Sequence, residues 1–285
     1  LAHAILLANN DVLRSYAVCA LLLPLVLGWR VRWLLIACAV LMVGQLAASG
    51  WVAAGWLRWW FAFTSGGAGA ELAPLIEAER RFGADPQVIA AALERGQEGF
   101  GERIARRLAD PLVQVRAVGA AIPSTLAAML AGVALWRCGL LAGRWPPARA
   151  VRLAYALMAV CLPALAAMAA WSWASGFAAV VTAFNALVLS APFDLALGIG
   201  YAALAMALFG GRWRGTALTA RLAATGRLAL TNYLGTSLVL AALFAGWGLG
   251  LFGAVTRAQA QALGLLPMSL MLLVSPWWLE RYRQG

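Results

Sequence analysis

His3 is the single histidine of this 285-residue chain, and Asn9, Asn10, Asp11, Arg14 and Tyr16 follow it closely. A histidine near neutral pH accepts a proton or an acyl group, and a carboxylate beside it can orient the ring. His3 and Asp11 are therefore the candidate base and orienting acid. Asp11 and Arg14 stand three apart and can meet on one helix face. A plainer role competes: Asn10 or Asp11 caps a helix and Arg14 pairs locally, and caps are commoner than active sites.

Two further clusters carry polar chemistry. Asp194 follows Pro192 inside a long apolar stretch. A carboxylate beside a broken membrane helix marks ion and substrate sites, although Asp also favours first turns. The run Gly226 to Ser237 holds Arg227, Thr231, Asn232, Tyr233, Thr236 and Ser237. Asn232, Gly235 and Thr236 share one helix side, a polar stripe with a place for close approach. Such a stripe serves as ligand contact or as packing glue. Gln45 and Asn185 read as interhelical hydrogen bonds. The four cysteines, Cys19, Cys38, Cys138 and Cys161, form no CxxC pair, so they read as small buried residues and no metal site is expected.

The elements that must position these groups are set by lipid. Hydrophobic residues make up 64% of the chain and charged ones 12%, a balance that leaves too little charge for a soluble surface. All 22 basic residues are arginine and the net charge is +11. Those arginines fall in short loops between apolar runs, where topology explains them, so nucleic acid is not an expected partner. The bilayer is.

Apolar runs from Val12 to Gly28, Trp33 to Gly50, Ala117 to Trp136, Val151 to Trp171, Leu228 to Leu249 and Ala260 to Leu279 each approach the ~20 residues a span needs. The stretch from Ser175 to Phe209 would be ~52 Å as one helix, too long for a single span, and Pro192 breaks it. The expected fold is therefore all-α: a polytopic transmembrane helical bundle of about seven spans with one broken or re-entrant helix, or eight if that stretch crosses twice. One full span after Pro192, preceded by a re-entrant or interfacial helix, keeps every arginine cluster (Arg30 and Arg32; Arg137 to Arg152; Arg212 to Arg227; Arg281 and Arg283) on the cytoplasmic side. The first residues then lie outside. So does the polar insertion at about 51–115, which opens with Trp51, Trp56, Trp59, Trp60 and Phe63 as an interfacial anchor. Its acidic residues (Glu71, Glu77, Glu79, Asp85, Glu94, Glu98, Glu102, Asp110) balance its arginines, and Asp85 to Leu108 has helical spacing with Pro86 in the first turn. The whole reads as one transmembrane domain, a fragment of a longer chain.

The stretch from Gly226 to Val239 (GRLALTNYLGTSLV) resembles the signature of the YeiB family of bacterial inner-membrane proteins, defined by domain of unknown function 418. Three more stretches agree: His3 to Val18 (HAILLANNDVLRSYAV), Leu130 to Leu141 (LAGVALWRCGLL) and Leu273 to Gly285 (LVSPWWLERYRQG). The family often has Gln where Thr236 stands and Gly where Asn10 stands. Its amino-terminal span and Trp-rich tail have no counterpart here. The resemblance implies a multi-pass protein of the bacterial inner (plasma) membrane.

More remotely, the family is similar to a superfamily of membrane acyltransferases. That similarity implies transfer of an acyl group from cytoplasmic acyl-CoA to an unidentified small-molecule or glycan acceptor outside. His3 and Asp11 would be the catalytic pair. Arg14, Tyr16, Asp194, Arg227, Thr231, Asn232, Tyr233 and Ser237 remain candidates for substrate or donor binding, with Arg227 at the donor's phosphates. Two other classes stay open: a transporter or exporter built around Asp194 and the Thr231–Ser237 stripe, and a non-catalytic membrane scaffold. An enzyme needs a cavity open to the cytoplasm, lined by arginine and reaching His3, a transporter needs Asp194 in a midplane cavity between helices, and a scaffold needs neither.

Overall fold

The structure is a computed structural model that describes residues 2–7, 11–66, 73–83, 85–109, 111–282 and 284–285. Asn9, Asn10, Glu71, Asp110 and Arg283 lie outside the described residues. Among those described, all regular structure is helical: α1 (Ala2–Leu6), α2 (Val12–Leu22), α3 (Val31–Thr64), α4 (Ala73–Phe82), α5 (Pro86–Gly96), α6 (Phe100–Ala109), α7 (Pro111–Arg137), α8 (Pro147–Ala174), α9 (Ala179–Phe184), α10 (Ala191–Gly210), α11 (Ala217–Arg227), α12 (Ala229–Phe244) and α13 (Arg257–Arg281).

Five of these are long and apolar enough to cross a membrane: α3, the Val118–Arg137 part of α7, α8, α10 and α13. Helices α11 and α12 qualify together as a sixth, bent by 84°. Shorter apolar helices cover Val12–Leu25 and Ala179–Leu189. The chain is an all-α, multi-pass membrane protein, and it divides into two compact units.

One unit comprises Ser15–Val88 and Val118–Arg212. Its α8 and α10 pack through small residues, with Ala150, Ala154 and Cys161 on one helix and Gly200, Ala203 and Ala207 on the other all buried. Lipid gives no hydrophobic drive between helices, so close backbone approach has to supply the contact. The stretch after Ala174 breaks as its proline requires. Helix α9 runs into a π-helical turn at Asn185–Leu189, and α10 then starts with Pro192 in its first turn, where the missing N–H costs nothing. Asn185 donates across to Met168 O (3.0 Å) and Ser172 Oγ (2.9 Å), the interhelical role expected of it. Gln45 differs: it donates to Ser49 Oγ one turn along its own helix (3.1 Å).

Helix α3 also differs from expectation. It continues through Trp51, Trp56, Trp59 and Trp60 to Thr64, 34 residues in all. At 1.5 Å per residue it is ~51 Å long. No proline interrupts that run, and the helix continues through Ser49 and Gly50, so the aromatic anchor extends the helix instead of opening a loop.

The other unit comprises Leu1–Arg14, Ile89–Ala117 and Trp213–Gly285. The helical spacing expected over Asp85 to Leu108 resolves into α5 and α6, parted at Gln97–Gly99. The reason is a tertiary contact. Gly246 N donates to Gly96 O (3.0 Å), and the Gln97 amide donates to Gly250 O and Phe252 O (both 3.0 Å). A Cβ on Gly246 would run into the Gln97 carbonyl, and one on Gly96 into the Phe252 ring. The glycine-rich loop after α12 therefore docks on the α5–α6 turn.

The same unit holds the α11–α12 bend. Leu228 leaves helical geometry (φ −101°, ψ 23°) just after Gly226, a poor helix former. At the end of α11 Leu228 N is shared between Ala224 O and Thr225 O (both 3.2 Å). The Asn232 amide adds a second donor to Thr225 O (3.0 Å) and also donates to Ser275 Oγ on α13 (3.1 Å).

Candidate functional site

The cluster at the start of the chain is assembled by α1, the turn before α2, and α12, all within one unit. Asp11 immediately precedes α2, and its Oδ1 accepts from Leu13 N (3.1 Å), a helix cap. The same oxygen lies 3.1 Å from His3 Nδ1 and accepts from the Tyr233 hydroxyl at 3.3 Å. The Arg14 guanidinium stands 3.8 Å from the other oxygen, Oδ2. The rings of His3 and Tyr233 lie 5.0 Å apart. Cap and candidate catalytic carboxylate are thus one group, and the two roles do not exclude each other.

Burial gives this arrangement its chemistry. The Asp11 side chain is 1% exposed and that of His3 7%. A carboxylate so buried is tolerable only with several partners, and it has them. Because a carboxylate only accepts, His3 Nδ1 must carry the proton in this bond. In the neutral ring the opposite nitrogen, Nε2, is then an acceptor; it is buried and has no hydrogen-bond partner among the described residues. This is the geometry of a histidine held in one tautomer with its second nitrogen buried and not engaged by any described residue.

A cavity of about 810 Å³ opens beside the cluster. Leu7, Arg95, Arg103, Arg106, Arg107, Ser237, Leu240 and Phe244 contribute to its wall. Leu7 N donates to His3 O, and Ser237 Oγ to Tyr233 O, so the wall includes residues one helical turn along the chain from His3 and from Tyr233, while neither ring lines the cavity. Arg107 holds α1 in place by donating to Ile5 O (2.6 Å), a carbonyl at the end of that short helix. These arginines were hidden in the sequence. They sit in the polar insertion, where balancing acids made them read as a solvated face. The one available signal was spacing: Arg103 and Arg107 are four apart and both buried.

Of the sequence candidates, His3, Asp11, Arg14 and Tyr233 come together, and Ser237 lines the cavity. Asn232 and Thr236 face α13: Asn232 braces the bend, and the Thr236 hydroxyl lies 3.5 Å from Met271 Sδ. Gly235 is exposed with nothing near it, so it permits no close helix approach among the described residues. Thr231 and Arg227 are exposed. Tyr16, 49% exposed, and Asp194 belong to the other unit. Asp194 is exposed on the first turn of α10 and accepts from Ser190 Oγ (2.7 Å).

Comparison with known proteins agrees with the resemblance seen in the sequence. The family model described as "Protein of unknown function (DUF418)" matches residues 135–285. The Escherichia coli (strain K12) protein named "Uncharacterized protein YeiB" is 36% identical over 164 residues, which are 55% of this chain and 40% of that protein. The chain therefore spans well under half the length of that relative. No solved structure matches. The family match covers more than half of the chain, and the protein belongs to the DUF418 family of YeiB-like proteins.

Proposed function

We propose that the protein is an acyltransferase of the bacterial inner membrane, with His3 as general base and Asp11 as the carboxylate that orients it. One observation carries the reading: a buried His3–Asp11 pair, buttressed by Tyr233, with His3 Nε2 unpartnered among the described residues and an arginine-lined cavity whose wall includes Leu7, one helical turn on from His3. The source of the E. coli relative supports the bacterial setting.

In the proposed reaction an acceptor hydroxyl gives its proton to His3 Nε2, and its oxygen attacks the thioester carbonyl of acyl-CoA. The carbon–sulfur bond breaks. The departing sulfur takes the proton from Nε2, which leaves an ester, free coenzyme A and neutral histidine. Asp11 steadies the imidazolium in between and keeps Nδ1 protonated. Tyr233 is a positioning residue acting through Asp11. The exposed Arg227, at the end of α11, is the proposed contact for the donor's phosphates. A transporter centred on Asp194 has less support, because that carboxylate is exposed and engaged with Ser190.

The test is a melting titration of the full-length protein with acetyl-CoA and with coenzyme A. A concentration-dependent rise in melting temperature is expected, reduced in Arg227→Gln. No rise with either ligand would remove the enzyme reading.

A further inference from the structure

The proton transfer above leaves the cavity itself unused, and its wall divides by chemistry. Leu240, Phe244 and Phe252, from α12 and the loop after it, give it apolar lining; Arg103 and Arg107, on successive turns of α6, give it cationic lining. Arg103 is 9% exposed, and its Nε has no hydrogen-bond partner among the described residues. The nearby carboxylates are committed elsewhere. Glu98 holds Arg106 through two bonds of 2.8 Å, and Glu102 accepts from Gly99 N (3.0 Å). No ion pair reaches Arg103 among the described residues. Burial, together with Arg103 and Arg106, pulls the Arg107 guanidinium below its ordinary range. Arg103, a buried guanidinium with no counter-ion among the described residues, is costly as it stands, and a guanidinium is the side chain best shaped to receive a phosphate-type oxyanion. The cavity is large enough for a headgroup and the start of an alkyl chain.

We infer that this cavity binds an anionic lipid with a hydroxyl-bearing headgroup, its phosphate on Arg103 and Arg107 and its hydrocarbon against Leu240, Phe244 and Phe252, and that this lipid is the acyl acceptor. The binding stands on the cavity alone; the acceptor role rests on the proposed transferase. The headgroup hydroxyl is the one that loses its proton to His3 Nε2 and gains the acyl group.

The experiment is calorimetric titration of the full-length protein in neutral detergent. The probes are dihexanoyl phosphatidylglycerol, dihexanoyl phosphatidylcholine and soluble glycerol phosphate. Phosphatidylglycerol should bind at least tenfold more tightly than either of the others, since a charge-assisted pair and the apolar wall each contribute about that factor. Arg103→Gln should weaken it at least tenfold. So should Leu240→Trp, which fills the cavity without touching charge. Arg58→Gln, on an exposed turn of α3, should not, and unchanged melting temperatures establish that each variant is folded.

Equal binding of the two lipids, or wild-type binding by both cavity variants, overturns the site. Glycerol phosphate binding as tightly as the lipid overturns the amphiphile. His3→Asn should keep the lipid affinity. Retained binding with no coenzyme A release from any lipid removes the transferase and leaves the site; coenzyme A release undiminished in Arg103→Gln removes the acceptor role and leaves the transferase.

Discussion

Tyr233 sets its hydroxyl 3.3 Å from Asp11 Oδ1 across 222 residues of chain. That bond joins α12 to the carboxylate that also caps α2 and orients His3. The most specific stretch of the sequence resemblance therefore touches the candidate catalytic pair directly. Neighbouring Asn232 faces the other way and braces the bend from which α12 rises.

The Asp11 carboxylate can be dissected by two variants. Asp11→Asn keeps the shape but allows an amide N–H to face His3, which favours the wrong tautomer. Acyl transfer should fall by ~10²–10⁴. Tyr233→Phe removes one donor from a buried charge. It should cost about 1.5–3 kcal/mol of stability and slow transfer far less than Asp11→Asn. Transfer kinetics and denaturation midpoints measured on both variants check this ordering; equal loss of transfer in both would contradict it.

The bend at Leu228 depends on Asn232. Asn232→Leu preserves volume but leaves Ser275 Oγ without its Asn232 partner and Thr225 O with only the Leu228 N–H. The expected loss is about 1–3 kcal/mol. A melting temperature equal to wild type would mean that the bend needs no such brace.

Outside the spans, the Arg106 guanidinium bonded to Glu98 holds that carboxyl below its usual range. A carboxyl depressed on folding stabilises above its unfolded pKa and loses that contribution as pH falls through the folded value. The pair is partly exposed, so its share is about 0.2–1 kcal/mol. Glu98→Gln should lower stability slightly at neutral pH and make no difference once acid has neutralised the carboxyl. Paired melts at neutral and acidic pH measure this, and a deficit that persists in acid would point to another cause.

The positive-inside rule, applied to the loop arginines, proposes which face of the membrane each loop occupies. In a Cys138→Ala background, Glu94→Cys should react with an impermeant maleimide on intact spheroplasts. Arg227→Cys should react only after permeabilisation. The reverse pattern would invert the proposed topology.

Much of this was legible in the sequence because lipid demands it. Long apolar runs and loop arginines announced the helices, and Pro192 announced the break before α10. His3, Asp11, Arg14 and Tyr233 stood out as polar groups among apolar ones. What stayed hidden depended on tertiary contact. The α5–α6 turn is fixed by glycine contacts with a loop some 150 residues away. The cavity arginines looked solvated because pairing within the insertion, such as Glu98 with Arg106, is invisible before folding. The Leu228 bend is braced by Asn232 reaching back to Thr225, a contact that the reading of Asn232 as part of a polar stripe did not contain.

The most direct test is coenzyme A release by the full-length protein from labelled acetyl-CoA in liposomes containing phosphatidylglycerol, wild type against His3→Asn. A general base supplied by His3 predicts lipid-borne label in the wild type and a loss of ~10²–10⁴ in the variant, with melting temperature preserved. Label transferred equally by both proteins, or by neither, would contradict His3 as the base of a transferase.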